Sequence, residues 1–153
     1  MPSRWLVLTG LLLGETTTAS AQLAMLGVRD LKFGAVMAGV AKHVFPSDAL
    51  NSGEYDVTAS LNGHLQLKFT LPSQLNGPAG ATMPISFANS DGIILETGPG
   101  SVPVTFNPKG TTVYRLSNGN RMLIFLGGTV SPVTNQRIGS YTAPVTLTLT
   151  IVG

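Results

Sequence analysis

The last thirteen residues, YTAPVTLTLTIVG, alternate in character with a period of two. Tyr141, Val145, Leu147, Leu149 and Ile151 fall on one face of an extended chain, and Thr142, Thr146, Thr148 and Thr150 fall on the other. That pattern suits a half-buried β-strand and no helix. Such a strand at the end of a chain needs a neighbour on each side or a cover over its free edge, because unpaired N–H and C=O groups recruit other strands. What lies beside it is the question that governs the fold.

The remainder of the chain repeats the same grammar. LQLKFTLP sets Leu65, Leu67, Phe69 and Leu71 against Gln66, Lys68 and Thr70, the pattern of a sheet with one wet face. EYDVTAS, MPISFA, VPVTFNP and TTVYRLS read as further strands, and RMLIFLGG is continuously apolar, as a central strand covered on both faces is. NGPAGATMP and TGPGSVP mark longer loops. The Asn-Gly pair in SNGN, between Leu116 and Arg121, predicts a tight hairpin. Pro144 removes a donor near the start of the last strand, so that end is expected at an edge or a bulge. Short strands divided by turn residues, with no helical period, predict an antiparallel all-β sandwich.

Composition narrows the function classes. The 153 residues suit one domain, and charged residues make up 10% of them against roughly a quarter in ordinary soluble domains. The surface must therefore be built from Thr, Ser, Asn, Gln and Gly. A net charge of +2 spread over few ions offers no clustered basic face, so nucleic acid is not an expected partner. With no cysteine the fold has neither disulfide nor thiol chemistry, and packing with hydrogen bonding must hold it.

At the N-terminus, Arg4 precedes an apolar run from Trp5 to Leu13, too short to span a bilayer. ETTTASAQ then supplies a polar stretch and an Ala19-Ser20-Ala21 cleavage pattern. Residues 1–21 read as a signal peptide, 22–30 as a short N-terminal extension and 31–153 as a single sandwich domain. The mature protein is expected outside the cytoplasm, with no membrane span.

Motifs that carry chemistry are absent. His43 and His64 lie on different elements with no cysteine to complete a zinc set. SDALNSGEYD collects Asp48, Asn51, Glu54 and Asp56, but without the alternating acidic spacing of a calcium loop, and a turn leading into a strand accounts for it. No G-x-S-x-G elbow or P-loop appears, and GPGS lacks a strand–turn–helix setting. No metal, cofactor or catalytic residue is assigned, and an enzyme is not expected.

Four segments taken in order, DLKFGAVMAGV, VFPSDALNSGEYDVTA, LQLKFTLPSQLNGPAGATMPISF and FLGGTVSPVTNQRIGSYTAPVTLTLTIV, resemble the bacterial secreted family described as domain of unknown function 4402. The resemblance runs from Asp30 to Val152. That family in turn is similar to spore-coat-U and archaic chaperone–usher pilin domains. The resemblance implies an immunoglobulin-like, pilin-like antiparallel sandwich lacking one strand, filled by an extended segment of another subunit.

On that reading the protein is a structural subunit of a bacterial surface fibre, pilus or coat. Its partners are other copies of itself or related subunits, with a periplasmic chaperone and an outer-membrane usher in transit to the cell surface. Leu23, Met25, Leu26 and Val28 are the expected donor arm, and Tyr141, Val145, Leu147, Leu149 and Ile151 the expected acceptor edge. QLAMLGV is short for such an arm and can equally fold back on its own domain. The alternative is then a self-complemented monomer that binds a carbohydrate or adheres through its loops, with Tyr55, Tyr114 and Tyr141 as stacking residues.

Overall fold

The computed structural model describes residues 23–59, 63–117 and 120–152; the expected signal peptide lies outside them. Twelve strands are described: β1 (Leu23–Arg29), β2 (Lys42–Val44), β3 (Gly53–Ala59), β4 (His64–Thr70), β5 (Gln74–Asn76), β6 (Thr82–Ser86), β7 (Gly92–Glu96), β8 (Val104–Phe106), β9 (Thr111–Arg115), β10 (Arg121–Leu126), β11 (Gly128–Val130) and β12 (Thr146–Val152). They form antiparallel sheets ordered β1-β3-β10-β7-β8, β2-β11-β6-β5 and β12-β4-β9. Among the described residues no helix is long and apolar enough to cross a membrane.

Alternation becomes burial in the expected sense. On β4, Leu65, Leu67 and Phe69 are buried while Lys68 and Thr70 are exposed. On β12, Leu147 is buried, Leu149 half-buried, and Thr146, Thr148 and Thr150 exposed. β10 is the central strand that its apolar run predicts, paired with β3 on one side and β7 on the other, with Met122, Ile124 and Leu126 buried.

The sheets share one core. Val57, Ile94, Met122 and Ile124 of the five-stranded sheet join Leu65, Leu67 and Leu147 of the three-stranded sheet and Met83, Ile85 and Val130 of the four-stranded one. Across the layers the Tyr55 ring meets Phe69 edge-on at 5.7 Å, and Phe69 stacks with Phe106 at 6.3 Å. Such aromatic pairs fix the layer spacing beyond their area of contact. The architecture is therefore sandwich-like.

Between β10 and β11 the chain passes from one sheet to another at Gly127. A Cβ there would lie 2.4 Å from the Val44 carbonyl oxygen, so glycine lets the crossing strand press against backbone.

One local expectation fails. Asn118 and Gly119 lie outside the described residues, but the strands on either side of them do not pair as a hairpin. β9 pairs with β4, whereas β10 pairs with β3 and β7. The two strands belong to different sheets, each held there by its own ladder, β9 on β4 and β10 between β3 and β7.

Candidate functional site

β12 has β4 as its partner on one side and, among the described residues, no strand on the other. The chain entering β12 forms one wall of an open groove of about 1010 Å³. Core side chains make its floor: Tyr55, Leu75, Met83, Ile85, Leu126 and Val130 all line it. The residues just after β1, 30–36 and 38, form the facing wall, and residues 136–145 the near one.

The near wall is rigidly built. Asn76 and Thr142 exchange backbone hydrogen bonds, N–H of Asn76 to O of Thr142 at 2.8 Å and N–H of Thr142 to O of Asn76 at 2.9 Å. The Tyr141 ring lies where a Cβ of Gly77 would be, and its hydroxyl donates to the Arg137 carbonyl at 2.6 Å. Gln136 Nε2 donates to the Tyr141 oxygen at 2.7 Å and to the Thr82 carbonyl at 3.0 Å.

The facing wall is not. Lys32 N–H donates to Asn51 O at 2.8 Å and Gly39 N–H to Val133 O at 3.0 Å. Between those two points the amides of Phe33 to Ala38 donate to no other described residue. Main-chain donors beside an apolar floor are the raw material for pairing with an added strand.

Charge sits on the walls and not on the floor. Arg29 is spent: its Nε donates to the Ser52 carbonyl at 2.8 Å and its Nη1 pairs with Glu54 at 2.9 Å. Burial, and secondarily the Asp30 charge, raises the Tyr55 phenol above its ordinary range, so this floor hydroxyl stays neutral.

The expected acceptor residues divide. Tyr141 and Val145 line the groove, while Leu147 is 4% exposed in the core and Ile151 is 37% exposed further along β12. The expected donor residues lie on β1, at the edge of the five-stranded sheet against β3. Leu23 packs partly on the core, whereas Met25, Leu26 and Val28 are 44, 65 and 50% exposed.

Other candidates have structural partners. The Asp48 carboxylate accepts from Leu50 N, Asn51 N and Asn51 Nδ2 at 2.9 to 3.1 Å, and these bonds hold it below the usual carboxylate range. Asp56 is bound by Arg121 through both oxygens. His43 Nε2 lies 2.8 Å from the buried Asp91 carboxylate rather than near His64. Among the described residues no three His, Asp or Glu converge as a metal site. The Tyr114 hydroxyl is bound to Glu96.

Phe33, Val36 and the floor residues Leu75, Ile85 and Val130 carry no periodic signal that marks them together; only the fold collects them. No family model, curated protein or solved structure matches this chain.

Proposed function

We propose that this protein is a secreted structural subunit of a bacterial surface fibre, pilus or coat, assembled by β-strand complementation. The observation that carries the reading is the groove itself: an apolar floor between a rigid wall and a wall with unpaired amides, the rigid wall being the chain that leads into β12, an edge strand. An extended segment seated there gains main-chain hydrogen bonds and buries three or four apolar side chains at about 1.5–3 kcal/mol each. That total is comparable with the whole stability of a typical domain, about 5–15 kcal/mol. On this reading the sandwich is of the immunoglobulin-like, pilin-like kind, in keeping with the resemblance carried by residues 30–152.

The donor is residues 23–28 of another copy. They are uncharged, and three of their apolar side chains already face solvent on β1. Leaving β3 costs them little side-chain burial, and the ladder bonds lost there are remade in the neighbour's groove. Each subunit then donates to the next, and a head-to-tail contact of this kind builds an open filament. A periplasmic chaperone and an outer-membrane usher are the fitting partners during export.

The pairing of β1 with its own β3 favours a second reading, a self-contained monomer whose groove or loops bind a ligand. Two substitutions separate the readings. Leu26→Asp and Met25→Asp fall on exposed positions, so the isolated fold should keep its melting temperature, while multimers of the mature chain seen by size-exclusion chromatography and electron microscopy should disappear. A wild-type protein that stays monomeric at high concentration, or fibres indifferent to both changes, rejects the fibre.

A further inference from the structure

We propose that residues 34–39 are a hinged flap that swings on Gly34 and Gly39 to open the groove, with Lys42 as its latch. The proposal rests on the strand-accepting reading of the groove and adds how that groove is controlled.

Both ends of the flap are glycines in the left-handed region, Gly34 at φ +62° and Gly39 at φ +76°, a conformation that side-chain-bearing residues rarely adopt. The chain is pinned just before the first hinge by Lys32 N–H to Asn51 O, and at the second by Gly39 N–H to Val133 O. At its far end one turn bond, from Val40 N–H just past the flap to Met37 O at 3.1 Å, shapes the chain locally. Between the two hinges, among the described residues, the hydrogen bond from flap to body is side-chain made: Lys42 Nζ donates to the Ala35 carbonyl at 3.2 Å.

Against this, Phe33 at the flap's entry and Val36 at its centre pack on the core. Met37 points outward, 72% exposed. Between its hinges the flap is thus held down by one half-buried side chain, Val36, and one exposed polar bond, with Phe33 packed beside its entry. The opposite wall has the Asn76–Thr142 pair and the Gln136–Tyr141–Arg137 chain. Motion should therefore be confined to one wall, and hinges of this kind are a few residues that absorb the backbone change while both flanks stay fixed. In the closed position Val36 packs over part of the floor. Opening widens the groove, so that an incoming strand reaches more of the floor and the unpaired amides of residues 34–38. An apolar groove that must wait for a partner is thereby guarded against indiscriminate strand pairing.

The chain has no cysteine, so single engineered thiols report cleanly. Val36 and Val145 are both half-buried on the core, one on each wall. In the mature protein the Val36→Cys thiol should react with a maleimide about tenfold faster than the Val145→Cys thiol. Adding Lys42→Met should speed the first about threefold and leave the second unchanged, because loss of one polar bond shifts a two-state population by a factor of this order.

Equal rates on the two walls, or no response to Lys42→Met, overturn the flap. A spin-label pair at the exposed positions Ala35→Cys and Thr142→Cys gives an independent reading. A broad distance distribution supports the hinge, and a single narrow one rejects it. A synthetic peptide of residues 22–29 should then protect the Val36→Cys thiol. Fast, latch-dependent reaction without peptide protection keeps the hinge and removes the strand-accepting reading.

Discussion

The Tyr114 hydroxyl donates to Glu96 Oε1 at 2.7 Å, tying β9 of the three-stranded sheet to β7 of the five-stranded one. The same buried carboxylate accepts from the Ser117 amide at 3.1 and 3.2 Å and from the Ser117 hydroxyl at 3.2 Å. An ionised acceptor with several donors is the strong form of a polar contact, and it links the layers where apolar packing alone sets no register. Glu96→Ala should therefore cost about 2 kcal/mol in chemical denaturation, since it strips the donors of their partner and leaves a cavity. A loss below about 0.5 kcal/mol would show that water replaces the carboxylate freely.

The same pair gives a pH dependence with a definite sign. Burial, then the hydrogen bond to Glu96 and then its charge, push the Tyr114 pKa up from 10.0 to about 12. The folded state holds that proton more tightly than the unfolded chain does. Its contribution to stability is complete below pH 10 and drains away as pH rises from 10 to about 12. Tyr55, raised by burial, adds in the same direction. Denaturation midpoints of the wild type should fall across this window, and Tyr114→Phe should flatten the fall. An equally steep fall in the variant would assign the effect to other groups.

Gly127→Ala probes the crossing between sheets. The added methyl would stand 2.4 Å from the Val44 carbonyl oxygen and 2.8 Å from Pro46, and neither neighbour is the free end of a flexible side chain. The crossing strand must shift, at a cost of about 2–4 kcal/mol and with the loss of ordered β2. Gly110→Ala, where the nearest atom is the Asn107 carbonyl at 3.9 Å, is the control and should stay within about 0.5 kcal/mol of wild type. Equal melting temperatures for the two variants would contradict the close approach.

Much of this architecture is legible in residue order. Strict alternation marks β3, β4 and β12, since burial on one face selects every second residue; the apolar run of β10 marks a central strand with a partner on each edge, although its second face, Leu123 and Phe125, is only half-buried. By the same criterion GIILE, bounded by Asp91 and Thr97, marks β7. It is easily passed over because the run is short and sits between turn residues. The Asn-Gly pair after Leu116 describes a local bend and cannot say that β9 and β10 leave for different layers. The groove is hidden for a related reason. Tyr55, Ile85 and Val130 meet only through long-range pairing, and neither wall is a regular strand with a period to detect.

The core-facing row of β12 grades from covered to open along the strand, with Leu147 at 4% exposure, Leu149 half-buried and Ile151 at 37%. The gradient predicts an unequal response to the same charge. Leu147→Asp places an unpaired carboxylate among Leu65, Leu67 and Phe69 in the core cluster and should cost about 4 kcal/mol or more, enough to unfold a marginal domain. Ile151→Asp keeps its carboxylate within reach of water and should cost under about 1 kcal/mol in the monomer. Thr148→Asp, on the opposite exposed face, should be nearly silent, which controls for charge alone. If a borrowed strand lies along β12 in the fibre, Ile151 becomes covered there, and Ile151→Asp should weaken assembly while sparing the monomer. Thermal melts of the three variants beside their sedimentation profiles decide the matter. A stable Leu147→Asp protein would mean that the strand presents its other face to the core, and an Ile151→Asp protein that assembles normally would place the borrowed strand elsewhere.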